Sequence, residues 1–176
     1  MTFNRPKNYL VRRVSFSDIQ LLRYWRNKEF VRNQMISKDL ISFDNQIDWF
    51  QQLTEKNHLF IYSNDNTDIG FMGCNIVNEK NFIFDIGIYC GNQDYLGHPF
   101  NFFSFLFIHD YAFITLNLKK SIILISKKNK SALNINKKLG YEFFKETQEF
   151  NYYSLECQKY LDERKKFEAI FRIDDK

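Results

Sequence analysis

The spacing of hydrophobic positions along the chain changes several times between the period of a strand and the period of a helix. Alternating or short continuous apolar runs bounded by polar turns predict strands, and apolar residues three or four positions apart predict amphipathic helices. The predicted strands are 9–14, 59–62, 69–77, 82–89, 121–126, 141–145 and 150–155, and those between residues 59 and 89 form an antiparallel meander. The predicted helices are 17–26, a helix that begins after Ser42, and then 100–118, 130–139 and 158–171.

The stretch from residue 82 to residue 118 organises this pattern, because it predicts a strand, a turn and a long apolar helix in succession. The loop 91–99 is rich in Gly, Asn, Asp and Pro, which permit a positive φ or fix a turn. Pro99 suits the first helical turn, where a missing N–H costs no hydrogen bond. The start of a helix exposes unpaired amides and a partial positive charge, which favour an anion. This loop between a strand and a helix is therefore predicted to bind a pyrophosphate. An ordinary strand-to-helix connection is the alternative.

Length and charge narrow the classes of function. The 176 residues, 44% of them hydrophobic, are sufficient for one well-buried domain. The formal charge of +4 is modest, and the basic residues occur as scattered pairs rather than as a dense stripe. These pairs are Arg12-Arg13, Lys119-Lys120, Lys127-Lys128 and Lys165-Lys166. A small anionic ligand fits this distribution better than DNA does, and we expect no nucleic-acid partner.

The cysteines indicate neither a metal site nor a disulfide framework. Cys74, Cys90 and Cys157 are far apart in the sequence, without a CxxC motif or a histidine at ligand spacing. We therefore expect a reduced, cytoplasmic setting and no bound metal. The first 14 residues lack the apolar core of a signal peptide, and the polar residues within 100–118 favour a buried core helix over a membrane span.

The order of the predicted elements, β, α, α, β, β, β, α, β, α, β, β, resembles that of the GCN5-related N-acetyltransferase (GNAT) family over residues 9–155. The resemblance implies a single α/β (α+β) domain at 1–156, and the charged residues that follow predict a helical extension at 157–176, beyond the family's usual end. It implies a mixed, mostly antiparallel central sheet of six to seven strands, flanked by helices and splayed between the fourth and fifth strands. It also implies acetyl-CoA as a co-substrate. The extension has two possible interpretations, a dimer contact or a solvated tail.

Two segments match the acetyl-CoA motifs of that family. Its phosphate loop reads Gln or Arg, two residues, Gly, one residue, then Gly or Ala, and the matching positions here are Asp94, Gly97 and Pro99. The segment from Asn129 to Tyr141 looks like the family's Asn, two residues, Ala and a helix ending in LGF or LGY, with an ordinary glycine-stopped helix as the alternative. By resemblance, the coenzyme-binding residues are Ile86, Ile88, Tyr89, Asp94, Leu96, Gly97, His98, Pro99, Phe100, Asn129, Ala132 and Asn136.

Three lysines follow the predicted strand 121–126. Lys127, Lys128 and Lys130 would flank the coenzyme slot, where their ammonium groups can meet the 3′-phosphate of CoA. A solvated surface is the alternative interpretation.

The N-terminal helices look like those of the amino-sugar branch of the family, above all the nucleotide-sugar N-acetyltransferases of the pseudaminic acid pathway. The resemblance rests on Trp-Arg-Asn at 25–27, on Met35 and on the segment 43–50. A nucleotide diphosphate needs a forked cation and aromatic surfaces, because guanidinium pairs with phosphate and rings stack on a base. The expected acceptor-binding residues are Trp25, Arg26, Asn27, Met35, Gln46 and Trp49. Core packing of the two tryptophans is the alternative.

The reaction that the resemblance implies is attack of a neutral amine on the thioester of acetyl-CoA in a ternary complex. It requires positioning, removal of an ammonium proton, stabilisation of an oxyanion and protonation of a thiolate. We expect the peptide groups of Ile88 and Tyr89 to face the acyl group and the pantetheine. The catalytic candidates are Tyr89, Asp85, His98, Tyr141 and Asn136. His109 lies within the apolar helix and is interpreted as a core histidine.

Asn136 occupies the position at which many family members carry a tyrosine that protonates the leaving sulfur. An amide donates a hydrogen bond but cannot deliver a proton, so three functions stay open. They are N-acetylation of an amino sugar, nucleotide-linked or free; N-acetylation of a protein N-terminus or a polyamine; and a degenerate binding domain without catalysis. We expect a small-molecule amine as partner, a monomer or homodimer, and no membrane association.

Overall fold

Seven strands and six α-helices make up the fold within residues 5–170. The computed structural model describes residues 5–170, and the side chains of that range as far as residue 167. The strands are β1 (Tyr9–Arg13), β2 (Asn57–Asn64), β3 (Thr67–Asn78), β4 (Ile83–Cys90), β5 (Lys120–Ser126), β6 (Glu142–Glu146) and β7 (Phe150–Glu156). The helices are α1 (Ile19–Asn27), α2 (Glu29–Arg32), α3 (Phe43–Gln51), α4 (Pro99–Asp110), α5 (Lys130–Lys138) and α6 (Cys157–Ile170). The strands form a single sheet in the order β1-β2-β3-β4-β5-β7-β6.

The predicted fold class is confirmed. The meander of β2, β3 and β4 is antiparallel, and β4 and β5 form a parallel pair within an otherwise antiparallel sheet. The short helix α2 is an element that the sequence analysis did not predict. The prediction was also wrong at Phe82, which lies outside β4 because its φ is 54°, in the left-handed region. Its carbonyl instead accepts the Lys119 and Lys120 N–H groups, at 2.9 and 3.3 Å.

The sheet is splayed between β4 and β5, as predicted. These two strands pair only at Ile83 with Lys120 and at Phe84 with Ser121. Beyond that point β4 stays paired with β3, whereas β5 is paired along its whole length with β7. A wedge-shaped gap therefore opens towards the carboxyl ends of β4 and β5.

Helices cover both faces of the sheet. Phe60 and Tyr62 of β2 point into the larger core, which lies against α4, α5 and α6, whereas Ile61 packs against Leu22 and Trp25 of α1. The alternation follows from the two-residue period of a strand. Because all three of these β2 side chains are at most 5% exposed, this central strand is apolar on both faces.

The helix predicted at 100–118 ends earlier than expected. Its α-helical part stops at Asp110, a π-helical turn spans Tyr111–Thr115, and Asn117 has a φ of 54°. A positive φ cannot continue a right-handed helix, and Asn tolerates that conformation better than most residues. None of the helices within residues 5–170 combines the length and the apolar character needed to cross a membrane.

Helix α6, the described part of the charged C-terminal segment, packs against the core. Tyr160 of α6 is fully buried, and its hydroxyl donates to Asp110 at 2.7 Å. Arg164, only 5% exposed, donates through Nε to the same carboxylate at 2.6 Å. Breaking a buried ion pair leaves an uncompensated charge, so these contacts anchor α6 on α4. Residue 171 of the predicted helix lies outside the described residues.

A glycine-to-alanine pair tests the packing on the α1 face. At Gly91 an added Cβ would lie 2.1 to 2.7 Å from three ring atoms of Trp25, whereas at Gly87 it would meet nothing within 4 Å. We expect Gly91→Ala to lower the free energy of unfolding by about 1–3 kcal/mol, because a buried indole must move. Gly87→Ala should leave it nearly unchanged. Urea unfolding of both variants measures the difference, and equal midpoints would contradict the close packing.

Candidate active site

The gap between β4 and β5 is lined by unpaired peptide groups of β4. The Gly91 N–H donates to Ile69 of β3 at 2.9 Å, while the Phe82 carbonyl accepts from the β5 side. Antiparallel pairing alternates along a strand, so the odd-numbered residues of β4 bond to β3 and the even-numbered ones face β5. The peptide groups of Ile86 and Ile88 therefore face the gap, where an extended ligand can bond to them. The Tyr89 peptide group, also expected there, faces β3 instead.

The loop after β4 is only partly open to a phosphate. Its backbone is bent by a 3-10 turn at Gln93–Tyr95 and by Gly97, whose φ is 78°. Several loop amides already donate within the loop, namely those of Asp94, Tyr95, Leu96 and His98. The Gly97 N–H has no acceptor within residues 5–170, and a Cβ on Gly97 would meet no atom within 4 Å. Gly97 thus offers a free donor next to open space.

The first turn of α4 satisfies most of its own amides. Pro99 has no N–H, and the Phe100 N–H donates to His98 Nδ1 at 3.3 Å. The Asn101 N–H donates to the His98 carbonyl at 3.0 Å. His98 therefore caps α4, and its Nδ1 lone pair is occupied in this arrangement. A phosphate can reach the Phe100 amide only when the His98 ring turns aside.

The start of α5 presents a similar cap. Asn129 Oδ1 accepts from the Ala132 N–H at 3.0 Å, and the Asn129 amide nitrogen has no acceptor within residues 5–170, so a ligand can bond to it. Asn136 is buried, and its Nδ2 donates to the Ala132 carbonyl at 2.8 Å. Of the three lysines before and within this helix, Lys127 pairs with Glu146 at 2.6 Å, and Lys128 and Lys130 are exposed.

Tyr141 lies at the closed end of the gap. Its hydroxyl bonds to Ser121 Oγ at 2.6 Å and to His109 Nε2 at 3.0 Å, and Ser121 is the β5 partner of Phe84. His109 Nδ1 lies 2.6 Å from the Phe105 carbonyl, which can only accept. Burial lowers the pKa of His109 to about 4, so the ring is neutral and its single N–H is on Nδ1.

That tautomer gives the network a direction. Nε2 of His109 must accept, so the Tyr141 proton points at the imidazole and Ser121 donates to Tyr141. Burial also raises the pKa of Tyr141, which keeps the phenol protonated. In this arrangement Tyr141 donates into the core, away from the gap, and His109 has the bonding of a satisfied core histidine.

On the face of the sheet that packs against α1, β4 carries a strip of three positions, Asp85, Gly87 and Tyr89. Burial raises the pKa of Asp85, although the Asn75 amide donates to the carboxylate at 2.7 Å. Gly87 is exposed, with open space where a side chain would be. Tyr89 stacks on Phe71 with ring centroids 5.1 Å apart, and burial raises the pKa of its phenol, which therefore stays protonated. Asp85 is thus the group on this strip that can take up a proton.

Arg26 of α1 extends the strip beyond Tyr89. Its Nη1 is buried without a hydrogen-bond partner among residues 5–170, while Nη2 donates to the Ser37 carbonyl at 3.3 Å. Burial lowers the pKa of Arg26, and the nearby Tyr89 partly offsets this effect. A guanidinium with a buried, unpaired N–H fits an anionic group better than it fits a closed core.

The remaining expected acceptor residues occupy varied surroundings. Trp25 is 3% exposed and lies against Gly91, and Gln46 is 5% exposed. Asn27 is engaged at both ends of its amide, accepting from the Ile41 N–H at 2.8 Å and donating to its carbonyl at 2.9 Å. The structure leaves Met35 half-buried and Trp49 37% exposed. Trp49 therefore offers more open ring surface than Trp25 does.

Two polar side chains beside these groups were missed in the sequence analysis. Asn75 bonds to Asp85 from the neighbouring strand, and Arg23 Nε is buried without a partner in the described part of the chain. Asn75 could have been found by pairing the predicted strands 69–77 and 82–89 in antiparallel register. The burial of Arg23 has no comparable signal in the sequence.

Comparison with known proteins agrees with this geometry. A sequence model of the acetyltransferase (GNAT) domain matches residues 9–142. Among solved structures, an uncharacterised protein from Bacillus halodurans is similar with a TM-score of 0.78 at 16% identity, covering 92% of this chain and 91% of that one. No curated protein matches.

Two further similar structures have described activities. Spermidine N-acetyltransferase from Vibrio cholerae, in complex with CoA and spermine, has a TM-score of 0.77 at 18% identity, covering 89% of this chain and 99% of that one. FdhC, described as a nucleotide-linked sugar GNAT, has a TM-score of 0.77 at 22% identity in its apo form, covering 91% and 93%. Identities this low show a shared fold. Because the family match spans most of the chain, this protein belongs to the GNAT acetyltransferase family.

Proposed function

We propose that this protein transfers an acetyl group from acetyl-CoA to the primary amine of an amino sugar carried on a nucleotide diphosphate. The observation that carries the proposal is the position of Asp85 on the same strand whose peptide groups at Ile86 and Ile88 line the gap. One strand thereby presents backbone groups for the coenzyme and a proton acceptor for the amine.

The residues along the gap fit acetyl-CoA. Ile86 and Ile88 would bond to the extended pantetheine arm, and the free amide of Asn129 would reach it from the β5 side. The Gly97 N–H and its open surroundings would receive the pyrophosphate. Leu96, which is 53% exposed, and Ala132, which is half-buried, would contact the arm through apolar atoms.

When bound, acetyl-CoA supplies the thioester whose acyl carbon accepts the amine and whose sulfur leaves. Asp85 removes the proton from the acceptor ammonium, and its raised pKa makes it a stronger base than an exposed carboxylate. The Ile86 and Ile88 amides hold the acyl group in place. As the C–S bond breaks, the attacking nitrogen would lose its second proton to water and the leaving thiolate would take a proton from water, since the Tyr141 proton is donated to His109 and Asn136 cannot supply one.

The choice of acceptor rests on charge. Arg26 has a buried N–H without a partner among the described residues, and it lies close enough to Tyr89 to interact with it electrostatically. A phosphate would satisfy this guanidinium, whereas the ammonium groups of a polyamine would be repelled by it. The half-exposed rings of Trp49 and Phe43 are available to stack on a base. Arg23 lies over the Phe43 ring at 5.9 Å and adds positive charge to the same region.

Thiol release from acetyl-CoA tests the proposal directly. The acceptor panel contains UDP- and dTDP-linked amino sugars, free amino sugars, spermidine and a peptide with a free N-terminus. Turnover with the nucleotide-linked sugars supports the proposal. Turnover only with spermidine or only with the peptide would show that the proposed acceptor is wrong and would identify the acceptor class instead. No thiol release with any acceptor of the panel, together with CoA binding in calorimetry, would instead identify a binding domain.

Replacing the proposed base tests the chemistry. We expect Asp85→Asn to reduce kcat/KM by about 10²- to 10⁴-fold, because the amide cannot take up the ammonium proton. Wild-type kcat/KM should fall as the pH drops through the raised pKa of Asp85, where the carboxylate becomes protonated. Initial rates of thiol release at a series of pH values measure both the loss in the variant and the pH dependence of the wild type. The control is Asp65→Asn in the exposed β2–β3 turn, and an Asp85→Asn variant with normal turnover would exclude Asp85 as base.

Removing the unpaired guanidinium tests the acceptor. We expect Arg26→Ala to lower kcat/KM for a nucleotide-linked amino sugar by about 10- to 100-fold, since a hydrogen bond to a charged group contributes roughly 1.5–3 kcal/mol. The same variant should use a free amino sugar as well as the wild type does. Arg13→Ala is a control, because Arg13 lies over Phe60 and Tyr111 on the opposite face of the sheet. Equal losses with both acceptors would contradict a phosphate contact.

Restoring a loop amide tests the coenzyme site. Pro99→Ala adds an N–H at the first position of α4, so we expect CoA to bind about tenfold more tightly, in line with one added charge-assisted hydrogen bond. Calorimetric titration with CoA measures the change. Pro6→Ala, at the other proline of the chain, should bind CoA as the wild type does. Unchanged affinity in Pro99→Ala would place the phosphates away from this helix.

A further inference from the structure

Three polar side chains form a line across the sheet that ends at Asp85, the first position of the strip on β4. Asn57 of β2 is directly opposite Asn75 of β3, which is directly opposite Asp85 of β4. Opposed residues of antiparallel strands present their side chains on the same face. Asn57 Nδ2 donates to Asn75 Oδ1 at 2.9 Å, and Asn75 Nδ2 donates to Asp85 Oδ1 at 2.7 Å.

The two ends of this line dictate the direction of every hydrogen bond in it. An ionised carboxylate only accepts, so Asn75 must turn its NH₂ group to Asp85 and its carbonyl to Asn57. At the far end the Thr54 N–H donates to Asn57 Oδ1 at 2.8 Å, so Asn57 must turn its NH₂ group to Asn75. A flip of either amide would oppose two donors or two acceptors. Aligned hydrogen bonds of this kind polarise and strengthen one another.

We propose that Asn75 and Asn57 are positioning residues that hold Oδ1 of Asp85 and orient its carboxylate, so that Oδ2 is left for the acceptor ammonium. The inference rests on the proposed function, in which Asp85 takes the ammonium proton. Two glycines follow the line on the same face, Gly73 on β3 and Gly87 on β4. The space above Gly87 is open, so an amine can approach beside Asp85.

The charges around Asp85 allow the amides to control it. Cys74 of β3 and Tyr141 both respond to the Asp85 charge, and burial raises the pKa of the Cys74 thiol to about 12 and also raises that of Tyr141. Both groups are therefore neutral while Asp85 titrates. Near the start of the line, the Lys56 ammonium is paired with Glu79 at 2.9 Å. Among residues 5–170, the Asn75 amide is thus the polar side chain that hydrogen-bonds to the carboxylate.

Titration of Asp85 in the full-length protein tests the inference without acceptor or coenzyme. Carbon-13 NMR of aspartate-labelled protein follows each carboxyl carbon with pH, and Asp85→Asn identifies the Asp85 signal by its loss. The variants are Asn75→Leu, Asn75→Val as a β-branched replacement suited to a strand, and Asn57→Ala. The control is Asn8→Ala, whose Nδ2 donates to Asn64 at 2.6 Å, away from this line.

We expect the Asp85 midpoint to rise by about one pH unit in either Asn75 variant, because the charged form loses its donor. Asn57→Ala should raise it by a smaller amount in the same direction, and Asn8→Ala should leave it unchanged. An unchanged midpoint in the Asn75 variants overturns the inference. If the Asp85 midpoint shifts in the Asn75 variants but not in Asn57→Ala, Asn57 is not a positioning residue, and the part of the inference that includes it is overturned. If both Asn75 variants fail to fold, the Asn57→Ala midpoint alone decides.

The outcome is separable from that of the proposed function. If the wild type releases no thiol with any acceptor while the midpoints still shift, the function fails and the positioning of Asp85 stands. If the wild type turns over and Asp85→Asn does not, the acid limb of kcat/KM in Asn75→Leu should move upward with the titration midpoint. An acid limb that stays in place shows that these amides do not act through Asp85.

Discussion

The interruption of pairing between β4 and β5 is the constraint on which the rest of the structure depends. After Phe84 and Ser121 the two strands separate, and the peptide groups of Ile86 and Ile88 lose the neighbours that a central strand normally has. Buried peptide groups need hydrogen-bond partners, so this edge requires water or a ligand. While it diverges from β4, β5 stays paired with β7 through seven consecutive residue pairs, so the gap is bordered by strands that are each held by a neighbour on their other edge.

The two-residue period of β4 links the two halves of the site. Even-numbered residues turn their peptide groups to the gap, while Asp85, Gly87 and Tyr89 place their side chains on the α1 face. At the end of the strand, the Trp25 ring packs against Gly91. The Gly91 carbonyl accepts from Lys28 Nζ at 3.1 Å. Trp25 of α1 and Lys28, which follows it, thus contact the chain directly at the start of the loop after β4.

Burial acts differently on the two faces of the sheet. On the α4 face, His109, Tyr141 and Ser121 are neutral and complete each other's hydrogen bonds, which is the arrangement expected of a polar core network. On the α1 face, Asp85 and Arg26 are partly desolvated ionisable groups, and one Arg26 N–H has no partner in the described part of the chain. Partly buried groups with perturbed pKa values and unmet hydrogen bonds concentrate at functional sites. This difference separates the candidate active site from the core.

The sequence by itself determined the order of the strands and of every helix except α2, the turn after β4 and the family, because hydrophobic period and turn chemistry are local properties. It also identified Asp85 as a titratable group on the central strand. Only the tertiary structure decided that Trp25 is buried on Gly91, that Tyr141 donates into the core and that Asn75 reaches Asp85. Those facts depend on strand register and on packing between residues far apart in the chain, which no local pattern contains.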